Sequence, residues 1–548
     1  MISIKINNTE YNYEPGITIE RVMNDHPEIG DAILCMINKE IHGLGHRLYS
    51  DSTVELIDTS SPYGHRAYEK TALMIFIKAV HDLYPSLPLE NVNVCFTIGN
   101  GLYIEIKDVD INPESVLKIK GRMLQLVNSE LPIVQREMLT EQAVKCFDIL
   151  GMKDKTELLS YRRTSLITVY FLDDICEYIY DFVAPNTKYI REFNLESYEN
   201  GIVLVTPVVN SPNTISAFEC SKKIFKALYN YYDIMRASGL KNVSEFNRSI
   251  SADGFNSPVL LQEAFMEKNI SEIARRISSN SKIKIVLIAG PSSSGKTTFS
   301  HRLAVQLAAC GIKSYPIETD NYFVDRDRVP VDAEGKPDFE SLDCMDIELF
   351  DKDFHRLLNG ETVRMPTYNF KTGKREYRGN SLSLEGNEIL MAEGIHCLDP
   401  AMVGNLPSES IFKIFISPLS QLNIDNHNYI SSNDARLIRR IIRDHRTRFY
   451  SASNTILQWP SVRRGEEKYI IPFRDEADVV FNSSMVYEIS VLKPYAEALL
   501  FAIERDNPAY TEAKRLLKLL DYFLSIPVNH VPENSLLSEF VGGNIFGV

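Results

Sequence analysis

The chain has 548 residues, enough for several hydrophobic cores, and its apolar and charged fractions of 44% and 24% are ordinary for folded domains. A net charge of −14 argues against indiscriminate binding to nucleic acid or to an anionic membrane, and leaves room for a local basic site. The eight cysteines form no C-x-x-C pair, no apolar run approaches the ~20 residues of a membrane span, and residues 1–11 lack a leader pattern, so the expected setting is a reducing cytoplasm with no membrane partner.

Ile2, Ile4 and Ile6 alternate with polar residues as a half-buried strand does; Asn7-Asn8 can turn the chain, and Tyr11 and Tyr13 continue the alternation. A short helix is expected after Thr18 and strands over 32–37 and 54–57, so residues 1–60 read as a small β-rich module. His42 and His46 have metal-like spacing, but Gly43 and Gly45 around Leu44 predict a loop there. Ala72, Phe76, Ala79, Val80 and Leu83 recur at helical spacing, and Leu166–Leu172 is strand-like, giving residues 61–205 a mixed character. Residues 206–281 read as a helical connector, with helices around 220–235 and 260–277, closed by the boundary Ser278-Ser279-Asn280-Ser281. From 282 to 500 strands and helices alternate, which predicts an α/β unit with a parallel sheet flanked by helices; residues 501–548 read as a helical tail.

The α/β unit opens with the apolar run Ile285–Ala289, a buried strand, followed by Gly290-Pro291-Ser292-Ser293-Ser294-Gly295-Lys296-Thr297 and a helix over 298–310 stopped by Gly311. The eight residues are a complete G-x-x-x-x-G-K-[ST] phosphate loop. Its glycines let backbone N–H groups turn toward phosphates, and the helix N-terminus adds partial positive charge. Gly290, Ser292, Ser293, Ser294, Gly295, Lys296, Thr297 and Thr298 are therefore the candidate nucleotide-binding residues, with Lys296 reaching the β/γ-phosphates and the Thr297 hydroxyl available to Mg²⁺.

Further elements fit phosphoryl transfer. The strand-like run 314–318 leads to Thr319-Asp320-Asn321-Tyr322, where Asp320 can accept a proton from an attacking hydroxyl and help hold Mg²⁺. Taken alone, the same aspartate could cap a helix. The strand 389–392 ends in Glu393-Gly394, an acid placed to assist the metal. Arg436, Arg439, Arg440 and Arg443 share one helix face, with Arg448 beyond, so an anion is expected opposite, as in a lid that closes over polyphosphate. Tyr368, in Pro366-Thr367-Tyr368-Asn369-Phe370, reads either as a ring that stacks on a base or as a core tyrosine.

In this order, with Pro337-Asp338-Phe339-Glu340, Ala392-Glu393-Gly394-Ile395 and Arg439-Arg440-Ile441-Ile442-Arg443-Asp444, these landmarks resemble the uridine kinase/phosphoribulokinase family over about 283–490. The resemblance implies an ATP- and Mg²⁺-dependent phosphotransferase acting on a nucleoside 5′-hydroxyl. It assigns Asp320 as general base, Thr297 and Glu393 as metal-assisting residues, Arg443 and Arg448 as lid arginines on the phosphates, Arg440 as one nearer the acceptor hydroxyl, and Gln458 as a ribose contact. Glu340 stands where the family has a ribose-binding aspartate, Gly373 where it has a base-reading histidine, and Tyr450 where an arginine is expected. Another alcohol, such as a sugar phosphate, is thus an alternative acceptor. Residues 1–60 resemble a TGS β-grasp domain and 61–205 the second additional domain of threonyl-tRNA synthetase, though His65 and Cys176 lack that domain's zinc-ligand spacing. This front half leaves open an RNA or tRNA contact, a nucleotide-switched regulatory role and a homo-oligomer.

Overall fold

The computed structural model describes residues 1–331, 335, 337–419 and 422–547. The first sheet has five strands in the order Thr9–Tyr13, Ile2–Ile6, Ser52–Ile57, Leu34–Ile37 and Glu40–Gly43. Asn7 and Asn8, at φ 49° and 67°, supply the left-handed pair that a two-residue hairpin needs, and Ile4 faces Tyr11 across it. Ile4 and Ile6 pack against Ile19 and Val22 of the helix Ile19–Asp25, which starts where the Thr18 hydroxyl accepts the Arg21 N–H at 3.3 Å. His42 departs from the loop expectation. It lies on the strand Glu40–Gly43, paired with Cys35, and its ring sits 4.1 Å from that of His46.

Next come a four-stranded sheet (Asn194–Tyr198, Gly201–Val205, Gly101–Ile106, Val92–Ile98) and a three-stranded one (Ile133–Leu139, Leu166–Leu172, Ile175–Glu177). The helix Pro62–Leu83 is buried on every face from Ala72 to Val80, so it reads as a core helix rather than a surface amphipath. The helices Lys222–Ala237, Val243–Asp253 and Asn256–Ser278 lead to the last large sheet; the middle one is short and was not evident in the sequence.

That sheet is wholly parallel, in the order Ser314–Glu318, Ile389–Gly394, Ile285–Ala289, Ile411–Ser417 and Val479–Asn482. The central strand is buried throughout, as a strand covered on both faces must be. The phosphate loop leaves its carboxyl end, the usual ligand-binding edge of such sheets. The following helix begins at Lys296, two residues earlier than the sequence suggested, and runs to Ala309. Among the described residues no helix is long and apolar enough to cross a membrane.

A loop of the α/β unit, residues 422–430, plugs into the front half. Lys155 Nζ lies 2.9 Å from Asp425 Oδ1 and 3.1 Å from Glu177 Oε2, and His427 Nδ1 lies 2.7 Å from Glu177 Oε1. All four side chains are at most 3% exposed. Burial works against a charged His427, but the neighbouring Glu177 outweighs it and raises the imidazole pKa. Around this cluster the Asn426 carbonyl accepts the Val94 N–H at 2.8 Å, and Asn428 Nδ2 donates to the Tyr178 carbonyl at 2.7 Å. Removing one member strands the opposite charge in a dry interior, at a cost of about 3–5 kcal/mol. Lys155→Met should therefore lower the unfolding temperature by several degrees in a thermal scan near neutral pH; an unchanged transition would show that the cluster does not hold the two halves together.

Candidate active site

Close packing shapes the phosphate loop. A Cβ at Gly290 would lie 2.0 Å from the Ile416 carbonyl oxygen, so only glycine lets the loop cross the neighbouring strand. Gly295 at φ 85° and Ser293 at φ 61° take the left-handed conformations that turn the chain into the helix. Lys296 Nζ folds back onto the carbonyls of Gly290 (3.0 Å) and Pro291 (3.3 Å). The Thr297 hydroxyl donates to Glu393 Oε1 at 2.6 Å. Thr298 differs: its N–H and hydroxyl bond to Glu539 Oε2 at 3.2 and 3.1 Å, a partner from far along the chain that no sequence pattern flagged.

Glu393 sits on the strand beside the loop strand, and Asp320 just past the next strand out. Gly394 has no room for a Cβ, which would fall 1.8 Å from the Thr319 hydroxyl; this packing sets the Thr319–Tyr322 turn against the strand end. Burial pushes the Glu393 carboxyl up to about 8, with Lys296 opposing and Glu318 and Asp320 adding to the rise. Burial likewise raises Asp320, against the pull of Lys296, Arg448 and Arg443. Glu340 joins the same cluster. Burial takes it to about 7, Arg440 and Lys296 oppose, Glu466 and Asp320 reinforce, and its Oε2 is buried without a partner.

The arginine helix spans Ser432–Arg448 and divides its cations into two groups. Arg436 and Arg439 do not face an empty anion site, which corrects the expectation drawn from their spacing. Arg436 pairs with Glu466 and donates to the Ser292 carbonyl at 3.1 Å; Arg439 pairs with Glu488 and donates to the Ser293 carbonyl at 3.4 Å. Arg440, Arg443 and Arg448 surround the buried Asp444 at 3.2, 2.9 and 3.6 Å, and Arg440 also donates to the Ser292 hydroxyl at 2.9 Å. These three are the arginines on the cleft side of the helix, near enough to Asp320 or Glu340 to bias their protonation.

Tyr368 is 8% exposed and packs edge-on against Phe323 and Phe370 at 5.6 and 5.1 Å, with its N–H on Asn321 Oδ1 at 3.0 Å, so its ring does not stand free in the cleft. Gln458 is exposed on the helix Ala452–Tyr469, and among the described residues no hydrogen bond or ion pair ties it to the carboxylate cluster. In the front half, His65 Nε2 is 2.8 Å from the Pro207 carbonyl, His81 is 3.7 Å from Asp174, and Cys176 is buried. Among the described residues no group of three or more His, Cys, Asp or Glu could hold a metal ion by itself.

Residues 285–490 match the model of the Phosphoribulokinase / Uridine kinase family. A uridine kinase of Macrococcus caseolyticus is 27% identical over 218 residues, covering 39% of this chain and 96% of that protein. The N-terminal half matches a threonine–tRNA ligase of Syntrophotalea carbinolica, 28% identical over 168 residues, which is 30% of this chain and 26% of the ligase. A solved structure of a possible uridine kinase from Bacillus stearothermophilus is 19% identical, covers 39% of this chain and 97% of its own, and has a TM-score of 0.27. The family match and the curated relatives indicate a phosphotransferase.

The raised Glu340 fixes a sign for the pH response. Its pKa of about 7 lies above the ordinary glutamate value, so the folded chain holds a proton that the unfolded chain gives up earlier. That contribution to stability is complete below the unfolded pKa and is lost as pH rises through about 7. The ligand-free unfolding temperature should fall as pH rises from about 4.5 to about 7, and Glu340→Gln should reduce that fall in parallel thermal scans. Identical pH profiles for the two proteins would contradict the assignment.

Proposed function

We propose that this chain, whose residues 285–490 match the phosphoribulokinase/uridine kinase family, transfers the γ-phosphate of ATP to a nucleoside 5′-hydroxyl with the help of Mg²⁺. The observation that carries this reading is the meeting of Lys296, the Thr297–Glu393 pair and Asp320 at the carboxyl ends of three adjacent parallel strands.

Each role follows from position. Lys296 is a mobile point charge that exchanges its two carbonyl contacts for phosphate oxygens. The Thr297 hydroxyl and Glu393 carboxylate, 2.6 Å apart, are the hard oxygen donors Mg²⁺ takes beside substrate phosphates, so the residues present fit that ion. Held there, Mg²⁺ would supply positive charge against the phosphate oxygens. Asp320, with its carboxyl raised by burial, is the group to take the proton from the acceptor hydroxyl. Arg440, Arg443 and Arg448 are placed to move from Asp444 onto the phosphates and exclude water as a lid. Glu340 and Tyr368 line the acceptor side in this reading, and Gln458 reaches it only if its helix shifts on closure.

A second acceptor class is favoured by one feature. Gly373, at φ 68°, has no room for a side chain, because a Cβ would fall 2.7 Å from Arg326. Arg326 occupies the space that a base-reading residue would need, and a cation there suits an anionic acceptor such as a sugar phosphate. The ligase likeness supports reading residues 1–60 and 61–205 as two modules that serve the kinase by binding or regulation.

ATP consumption across a panel of nucleosides and sugar phosphates identifies the acceptor. With that acceptor, Lys296→Ala should lower kcat by roughly a hundredfold or more. Asp320→Asn should lower kcat far more than it weakens ATP binding, because it keeps shape and removes proton acceptance. Near-native turnover by a correctly folded Lys296→Ala protein, or a collapse of ATP affinity with normal single-turnover chemistry in Asp320→Asn, would overturn these assignments.

A further inference from the structure

The segment 535–547 lies across the front of the phosphate-loop helix, and its contacts have a pattern. Leu536, Leu537 and Phe540 are fully buried and anchor it. Leu536 packs beside Gly295, at 3.7 Å from where a Cβ would stand. Phe540 lies under the Arg439 guanidinium at 5.1 Å, and Phe546 stacks on His301 at 5.3 Å. Arg446 donates to the Glu539 carbonyl at 2.6 Å, which ties the segment to the end of the arginine helix. From this scaffold one half-buried carboxylate reaches the loop: Glu539 Oε2 accepts the Thr298 N–H at 3.2 Å and the Thr298 hydroxyl at 3.1 Å, while Asn544 Nδ2 holds the same hydroxyl at 3.0 Å.

Thr298 is the third residue of the helix Lys296–Ala309, so its N–H has no partner within the helix. N–H groups at that position, opening from a glycine-rich loop, are the ones that receive phosphate. A carboxylate is the anion a protein chain can offer in place of a phosphate oxygen, with the same charge-assisted bond and the same attraction to the positive helix end.

We infer that Glu539 is a built-in competitor of the nucleotide: its carboxylate occupies a phosphate-binding N–H of the loop, and ATP must displace it to seat fully. The inference rests on the reading of this loop as the ATP site. Displacement needs only a change of the Glu539 side chain, since the apolar anchors lie elsewhere on the segment and Asn544 bonds the Thr298 hydroxyl, not Glu539. Apparent ATP affinity is then the intrinsic affinity reduced by the fraction of molecules with the N–H free.

The test is calorimetric titration of the full chain with ATP and Mg²⁺, comparing wild type with Glu539→Ala and Glu539→Gln. Both substitutions leave the anchors in place. Glu539→Ala should tighten ATP binding roughly five- to tenfold, and Glu539→Gln, whose neutral amide oxygen still accepts the N–H, by less. Unchanged or weaker ATP binding in Glu539→Ala would overturn the inference while leaving the nucleotide site intact. A wild type and a Glu539→Ala protein that both fail to bind ATP would remove the nucleotide reading and the competitor with it.

Discussion

The site depends on how the helix Ser432–Arg448 disposes of its arginines. Arg436 and Arg439 are 2% and 0% exposed, and an unpaired guanidinium at that depth costs several kcal/mol. Glu466 and Glu488, each from a different helix, remove that cost. The same two guanidinium groups also bond the carbonyls of Ser292 and Ser293, so the phosphate loop is held by the pairs that make their burial tolerable. With these two committed to structure, Asp444 gathers Arg440, Arg443 and Arg448 on the cleft side. Net stabilisation is not the main product of such buried pairs. Their product is position: each fork of donors has one geometry that satisfies it.

The helix is anchored unevenly, and this bears on how a lid could move. Its beginning follows directly on the loop 422–430, which carries Asp425 and His427 into the front half. Tyr429 adds a hydrogen bond to Glu69, with Lys70 4.0 Å above the tyrosine ring, and Asp434 is clasped by Arg515 at 2.7 Å. The far end is different. Phe449 caps it at φ 59° with its ring 78% exposed. That end is held by Arg446 on the Glu539 carbonyl at 2.6 Å and by Arg448 over the Phe370 ring at 5.4 Å, contacts that a lid motion of the proposed kind would have to loosen while the front half holds the start of the helix.

Local rules explain what could be read in advance. The Asn7-Asn8 hairpin, the helix after Thr18 and the phosphate loop each depend on a few consecutive residues, and all appear as expected. The positions of Asp320, just past the strand Ser314–Glu318, and of Glu393, near the end of Ile389–Gly394, were legible because strand ends beside a phosphate loop form the ligand-binding edge of a parallel sheet. The helical spacing of the arginines revealed their shared face, but a face does not reveal what covers it; Glu466 and Glu488 lie 30 and 49 residues from their partners. The loop 422–430 and Glu539 were hidden for the same reason, since their partners are hundreds of residues away. His42 was missed because its strand is only four residues long, too short for glycine content to separate strand from loop.

Two glycines shape the region that the proposed reading gives to the acceptor. Gly465 has no room for a side chain beside Glu340, because a Cβ there would lie 2.4 Å from the Glu340 Cβ. The bare glycine lets the helix Ala452–Tyr469 approach the buried Glu340 side chain closely. At Gly373 the small residue admits Arg326, whose Nη2 then donates to the Phe370 carbonyl at 2.6 Å beside the buried Tyr368. A larger side chain at 373 would displace Arg326 and break that contact. In the proposed reading these two close approaches, Gly465 on Glu340 and Gly373 on Arg326, shape the acceptor side, while the loop and the arginine helix shape the phosphate side. The two sides are not separate: Arg440, Lys296 and Asp320 all bear on the buried Glu340 carboxyl, so a change at one would be felt at the other.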